Sequence, residues 1–266
     1  MRPRFSPTGR QARVGTATVA LLAVVASGVF ARTPGTPIRL AWEEGDIAGV
    51  TAILAPGSRR AVGYIEFHQR RQDDLLSTDR VARFDDGSSD EDHAEARVAA
   101  GPTLEALSGR SIIRDAGGRV VVDLTIDVSG GRLTGFTADG TAQTPFDQRV
   151  SLPSGTYWGP LIFLVLKNFD ANAENGALTF RTVAPTPQPR VLDLEVRRDG
   201  DATVAMPGGS VDATRYTLRP SVHWAIDPFV RLVAPSTEFF MLPGAPPALA
   251  RFVGPRNYAG QEIEVE

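Results

Sequence analysis

The chain has no cysteine, and Lys167 is the only lysine among its 28 basic residues. Without thiols there is no disulfide, no thiolate metal site, no cysteine nucleophile and no lipid-modified N-terminal cysteine, so stability has to come from burial. Histidine is scarce too. His68, His93 and His223 stand far apart, with no His-x-x-x-His or Glu-x-x-His pair to preorganise zinc on one element. Nucleophile motifs of the Gly-x-Ser-x-Gly or Ser-x-x-Lys type are missing, as are P-loop and dinucleotide fingerprints. These absences predict a protein with no catalytic residues, no metal and no cofactor.

Beyond the first 31 residues no segment is long and apolar enough to read as a membrane span. At the start, Arg2, Arg4, Arg10 and Arg13 precede the uncharged residues 14–31, with an apolar centre at 19–26 and Val29-Phe30-Ala31 at the end. That layout predicts a signal peptide over residues 1–31, cleaved after Ala31. A retained anchor is the alternative, but Gly15, Thr16, Thr18, Ser27 and Gly28 make the segment weakly apolar. Residues 32–266 would then be one exported domain, periplasmic or secreted. Removing the four arginines leaves 24 basic against 31 acidic side chains, a formal charge of −7, which disfavours nucleic acid and anionic membrane surfaces as partners.

What is abundant is strand grammar. Val120, Val122, Leu124, Ile126 and Val128 alternate with Val121, Asp123, Thr125, Asp127 and Ser129, a period of two that buries one face. Gly117-Gly118 and Gly130-Gly131 bracket this strand as hairpin turns, which would set Ile113 opposite Val122 and Val128 opposite Leu133. Similar punctuation recurs at Asp139-Gly140, Asp199-Gly200 and Pro207-Gly208-Gly209. A two-residue turn at Asp199-Gly200 would leave Val204 beside Glu195 on the polar face, and one extra loop residue would turn it inward; both remain open. In the proline-rich last third, residues 237–242 and 248–253 read as strands, with Trp224, Phe229, Phe239, Phe240 and Phe252 completing the core.

One segment breaks the pattern. Residues 157–169 are apolar on nearly every side and carry Pro160 where a helix would begin, which predicts an enclosed helix inside a curled sheet. The expected fold is therefore mainly β: a single curled antiparallel up-and-down sheet, a half-barrel or open barrel, with one buried apolar helix. Residues 85–93 read as a solvated acidic loop, and residues 170–176 as a calcium-loop near-miss better explained by a helix ending at Asn175-Gly176.

Val150-Ser151-Leu152-Pro153-Ser154-Gly155-Thr156 with the apolar run to Leu166, and the stretch from Tyr216-Thr217-Leu218 through Phe239-Phe240-Met241 to Pro255, resemble bacterial exported β-sheet proteins of unknown function. These are half-barrel and β-spiral envelope proteins, similar in architecture to lipoprotein carriers. The resemblance implies a role in the cell envelope and an acyl chain or other apolar ligand in the concave face.

A curled sheet with an apolar inner side must be filled by side chains, a helix or a guest. The ligand-lining candidates are Val122, Leu124, Ile126, Leu161, Phe163 and Leu164. The reading is a non-enzymatic envelope protein whose partner is an apolar small molecule or lipid, or another envelope protein. Two rivals stand beside it. In a purely structural role the helix fills the concavity and leaves no cavity; a hydrolase would gather groups such as His223 with Asp227, or His68 with Glu66, around a pocket.

Overall fold

In the computed structural model, residues 33–186, 188–206, 208–221, 237–256 and 262–266 are described. The expected signal peptide and its cleavage point, together with His223, Trp224, Asp227 and Phe229, lie outside the described residues. Fifteen strands form one antiparallel sheet: β1 (Ile38–Arg39), β2 (Ile47–Leu54), β3 (Ala61–Gln72), β4 (Leu75–Phe84), β5 (Ser89–Ala99), β6 (Thr103–Arg114), β7 (Val120–Asp127), β8 (Arg132–Asp139), β9 (Ala142–Arg149), β10 (Ala177–Ala184), β11 (Arg190–Met206), β12 (Gly209–Pro220), β13 (Thr237–Leu242), β14 (Ala248–Pro255) and β15 (Glu262–Val265). The helix α1 (Leu161–Lys167) lies between β9 and β10 in the chain.

Each strand pairs with its sequence neighbour from β2 to β9 and again from β10 to β15. The two runs join where β15 pairs with β2, and β1 lies beside β6. The edges are β9 and β10, so the sheet is not closed, and the chain linking those edges carries α1. The curl follows from one tyrosine. Laid flat at about 4.8 Å per strand, β6 and β10 would sit roughly 50 Å apart. Yet the Tyr157 hydroxyl donates to the Leu104 carbonyl on β6 at 2.6 Å, while its ring lies 6.3 Å from that of Phe180 on β10.

Alternation builds the meander as expected. Ile113 pairs with Val122, and Asp139 with Ala142 around Gly140. Leu133 pairs with Ile126 rather than Val128, because residues 128–131 form a longer loop. The two-residue shift keeps both side chains on the buried face. Asp199-Gly200 is not a turn. It is a bulge inside the continuous strand β11, with Gly200 at φ +115°, a conformation open to glycine; Val204 pairs with Val211 and is buried.

The apolar run folds as expected. α1 begins after Pro160 (φ −66°) and buries Leu161, Leu164, Val165 and Leu166, flanked by buried Tyr157, Trp158 and Phe169. Trp158 lies against Gly109 of β6, where an added Cβ would come within 2.4 Å of the indole. Asn168 Oδ1 accepts from the Ala41 N–H and its amide donates to the Leu164 carbonyl, which straps residues 38–41 across the helix end.

Two local readings need correcting. The acidic stretch 85–93 is a tight turn followed by β5, whose inward positions Asp90 and Asp92 are held by arginines rather than by solvent. Inward carboxylates disguise the strand because its buried face is polar there. Asn175-Gly176 does not end a helix, since α1 stops at Lys167; both residues have positive φ and make a two-residue turn closed by the Glu174–Ala177 bridge.

The hairpin turns give a pH prediction. Side-chain hydrogen bonds from Arg119, then backbone N–H donors, hold the Asp115 carboxyl below the usual range. The Gly130 N–H followed by the Ser129 hydroxyl does the same for Asp127. Depressed carboxylates add stability above their unfolded pKa of about 3.9 and lose it as pH falls through the lower folded value. The melting temperature should therefore fall less between about pH 5 and pH 3 in an Asp115→Asn/Asp127→Asn variant than in the parent chain.

Candidate functional site

The core is not uniformly filled. Against α1, two adjoining cavities of about 410 and 220 Å³, the larger toward the C-terminal half of the helix and the smaller toward its start, share Ile65, Arg80, Phe163, Leu249 and Val265 in their walls. Small-molecule sites commonly span 300–1,000 Å³. Strand alternation aims the lining: Ile65, Phe67 and Gln69 are successive inward positions of β3, and Thr51 pairs with Ile65 from β2. Phe163, Leu164 and Lys167 form the roof, and Met241, Leu249 and Val265 supply the other wall. Phe163 meets Phe239 edge-on at 6.2 Å, and Phe239 in turn contacts Phe252 at 5.2 Å.

The opening is a lapse in pairing. β15 pairs with β2 only at Ile53 and Leu54, so residues 47–52 of β2 have no strand on that side among the described residues. Ile47 and Thr51 of this stretch face Pro246, Pro247 and Ala248 across the larger cavity. Proline has no N–H to donate, which suits a wall that is not zipped into the sheet.

Polar groups are few and mostly matched. Lys167 Nζ donates to Glu44 Oε2 at 2.9 Å, and Gln69 Nε2 donates to the same oxygen at 3.2 Å and to the Gly45 carbonyl at 2.9 Å. The Glu44 side chain is wholly buried and that of Lys167 is 14% exposed. Arg80 is held by Asp92, which also accepts from Ser111. Burial alone would lower the Arg80 pKa, but the charge and hydrogen bond of Asp92, with Asp90 behind, keep it above the ordinary value. Arg256 grips Asp90 through two nitrogens, with its guanidinium 3.5 Å over the Phe84 ring. Every charge at these walls thus has a counter-charge.

Of the six lining candidates, Phe163 and Leu164 border the larger cavity. Val122, Leu124, Ile126 and Leu161 lie in the solid part of the same core cluster, away from it. The residues that complete the wall, Ile65, Phe67, Gln69, Leu249 and Val265, were not singled out from sequence, although Ile65-x-Phe67-x-Gln69 carries the period-two signal. Glu44 and Lys167 had a cue as well: the chain's only lysine, on an otherwise apolar helix, needs a buried partner.

Histidines are elsewhere. His68 lies on the outward face of β3, and His93 pairs through Nδ1 with Asp79 at 2.8 Å on the outer face of the sheet. Neither borders either cavity, and the described residues contain no cluster of histidines and carboxylates suited to a metal ion. Among the described residues no helix is long and apolar enough to cross a membrane. No protein-family model, curated protein or solved structure matches this chain.

Proposed function

We propose that the chain is a non-enzymatic, exported envelope protein that holds a lipid-like ligand in the concave face of its sheet, as do the lipoprotein-carrier half-barrels, to which the exported β-sheet proteins its sequence resembles are similar in architecture. The observation that carries this reading is the apolar cavity of about 410 Å³ beneath α1, open to the side where β2 and β15 part. Each buried methylene contributes about 0.8 kcal/mol, so burial of an acyl chain of about a dozen carbons contributes roughly 9 kcal/mol against an association and ordering cost of at least about 4 kcal/mol, which leaves a favourable balance for binding. A purely structural role calls for a filled concavity, which the cavity argues against.

Ala248 is exposed at the cavity wall, where a larger side chain can enter the space without displacing the core. Ala248→Trp should keep the fold and weaken binding of a neutral apolar fluorophore such as N-phenyl-1-naphthylamine by about tenfold or more. Native mass spectrometry of protein purified from its own envelope should show a co-purified lipid-sized mass. A bare chain that also fails to bind the fluorophore would overturn the reading.

A further inference from the structure

One edge of a guanidinium is left open inside the sheet. Arg80 pairs with Phe67 across β3 and β4, and directly opposed residues share a face, so both point into the concavity. Arg80 Nε and Nη2 donate to the same oxygen, Asp92 Oδ2. The far edge of the group, Nη1 with its two N–H donors, has no acceptor among the described residues. It is not closed off either. The sealed polar atoms without a partner are Glu44 Oε1, Gln69 Oε1, Trp158 Nε1 and Arg251 Nε, and the Arg80 side chain keeps 19% of its surface open. Because Arg80 points inward and borders both cavities, that open edge faces the space a guest would fill. Polar groups that lose water on binding need a partner in its place, and here the group is a donor.

Charge narrows the answer. Arg80 is already neutralised by Asp92, Arg256 by Asp90 and Lys167 by Glu44. An ionised carboxylate accepts from Nη1 but adds a negative charge with no cation left to balance it. An ammonium brings no acceptor and sets a second cation against Arg80. An alcohol accepts, but its own O–H then needs an acceptor, and the unpartnered ones nearby, Glu44 Oε1 and Gln69 Oε1, are sealed from the cavity. An ester carbonyl accepts without adding a charge or a donor. We infer that the site selects an uncharged acyl ester over the fatty acid, alcohol or amine of the same chain length. The carbonyl lies at Arg80 Nη1 and the acyl chain runs along Phe163, Leu249 and Val265. This inference rests on the reading of the cavity as a lipid-like ligand site.

The test is displacement of N-phenyl-1-naphthylamine from the purified chain, at neutral pH, by methyl dodecanoate, dodecanoate, dodecanol and dodecylammonium. Methyl dodecanoate should displace the fluorophore at concentrations about tenfold lower than dodecanoate or dodecylammonium, and about threefold lower than dodecanol. Arg80→Lys keeps a cation for Asp92 but has no second arm, so it should shrink the preference over dodecylammonium to about threefold or less. A second readout needs no variant. The infrared carbonyl stretch of methyl dodecanoate labelled with carbon-13 at the carbonyl should lie lower when bound to the parent chain than in hydrocarbon solution, as a hydrogen-bonded ester does. Equal or tighter binding of dodecanoate, a preference unchanged in a folded Arg80→Lys chain, or a bound stretch at the hydrocarbon position overturns the ester inference and leaves the ligand-binding reading standing. If the fluorophore itself does not bind, both fall.

Discussion

Replacing Trp158 by alanine is expected to cost about 3–5 kcal/mol, read as a lower denaturation midpoint at unchanged slope in urea. Trp158 is 2% exposed and stands where the segment entering α1 meets β6. Its ring occupies the space that Gly109 leaves by having no side chain. A Cβ at position 109 would come within 2.4 Å of the indole and 2.5 Å of the His93 carbonyl, so Gly109→Ala should damage the same contact from the other side. Truncating the indole removes the largest filler of the solid half of the interior, and a sheet held open on one side by β9 and β10 has strands that can relax only partly into the gap. Trp158→Phe should recover most of the loss. The indole Nε1 has no acceptor among the described residues, so the ring's contribution is its volume rather than a hydrogen bond.

Lys167→Met should cost nearly as much, about 3–5 kcal/mol, because it leaves the wholly buried Glu44 carboxylate without its cation. Gln69 still donates to Glu44 Oε2, but one neutral donor does not replace a charge at 2.9 Å. The discriminating variant is Lys167→Met/Glu44→Leu. Removing both charges removes the desolvation problem with them, so the double variant should be close to the parent chain in stability, and a double-mutant cycle should show strong coupling. A double variant no more stable than Lys167→Met would mean that the pair matters for packing and not for charge.

How much of this was written in the sequence depends on how far each contact reaches along the chain. The hairpin pairing Ile113 with Val122 is local, and its turn glycines and alternation make it readable. The helix is readable for a similar reason: residues 161–166 are apolar on every side, and only an enclosed helix tolerates that. β5 was missed because Asp90 and Asp92 occupy inward positions, and a polar inward face looks like a loop until its arginine partners, Arg256 and Arg80, are known. The cavity was least legible. Its walls come from β2, β3, β4, α1, β13, β14 and β15, so Ile65 and Val265 meet only after the curl has formed. Val122, Leu124 and Ile126 have the same sequence signature as a lining residue, yet they face the filled side, a distinction that periodicity does not encode. Gln69 and Lys167 both contact Glu44, at sequence separations of 25 and 123 residues, beyond the reach of any local pattern.

The seam between β15 and β2 also sets the order of assembly. Ile53 and Val265 are separated by about 210 positions, whereas every other neighbouring pair of strands, apart from β1 with β6, follows directly in the chain. The two ribbons, β2 to β9 and β10 to β15, can zip up hairpin by hairpin, but their union must wait for a long loop to close, and such distant closures are slow. The ladder there has two residue pairs, supplemented by the Thr51 hydroxyl on the Glu266 carbonyl and the Arg59–Glu266 ion pair, so hydrogen exchange at the joint is expected to be faster than inside either ribbon, at the same place where the cavity meets solvent.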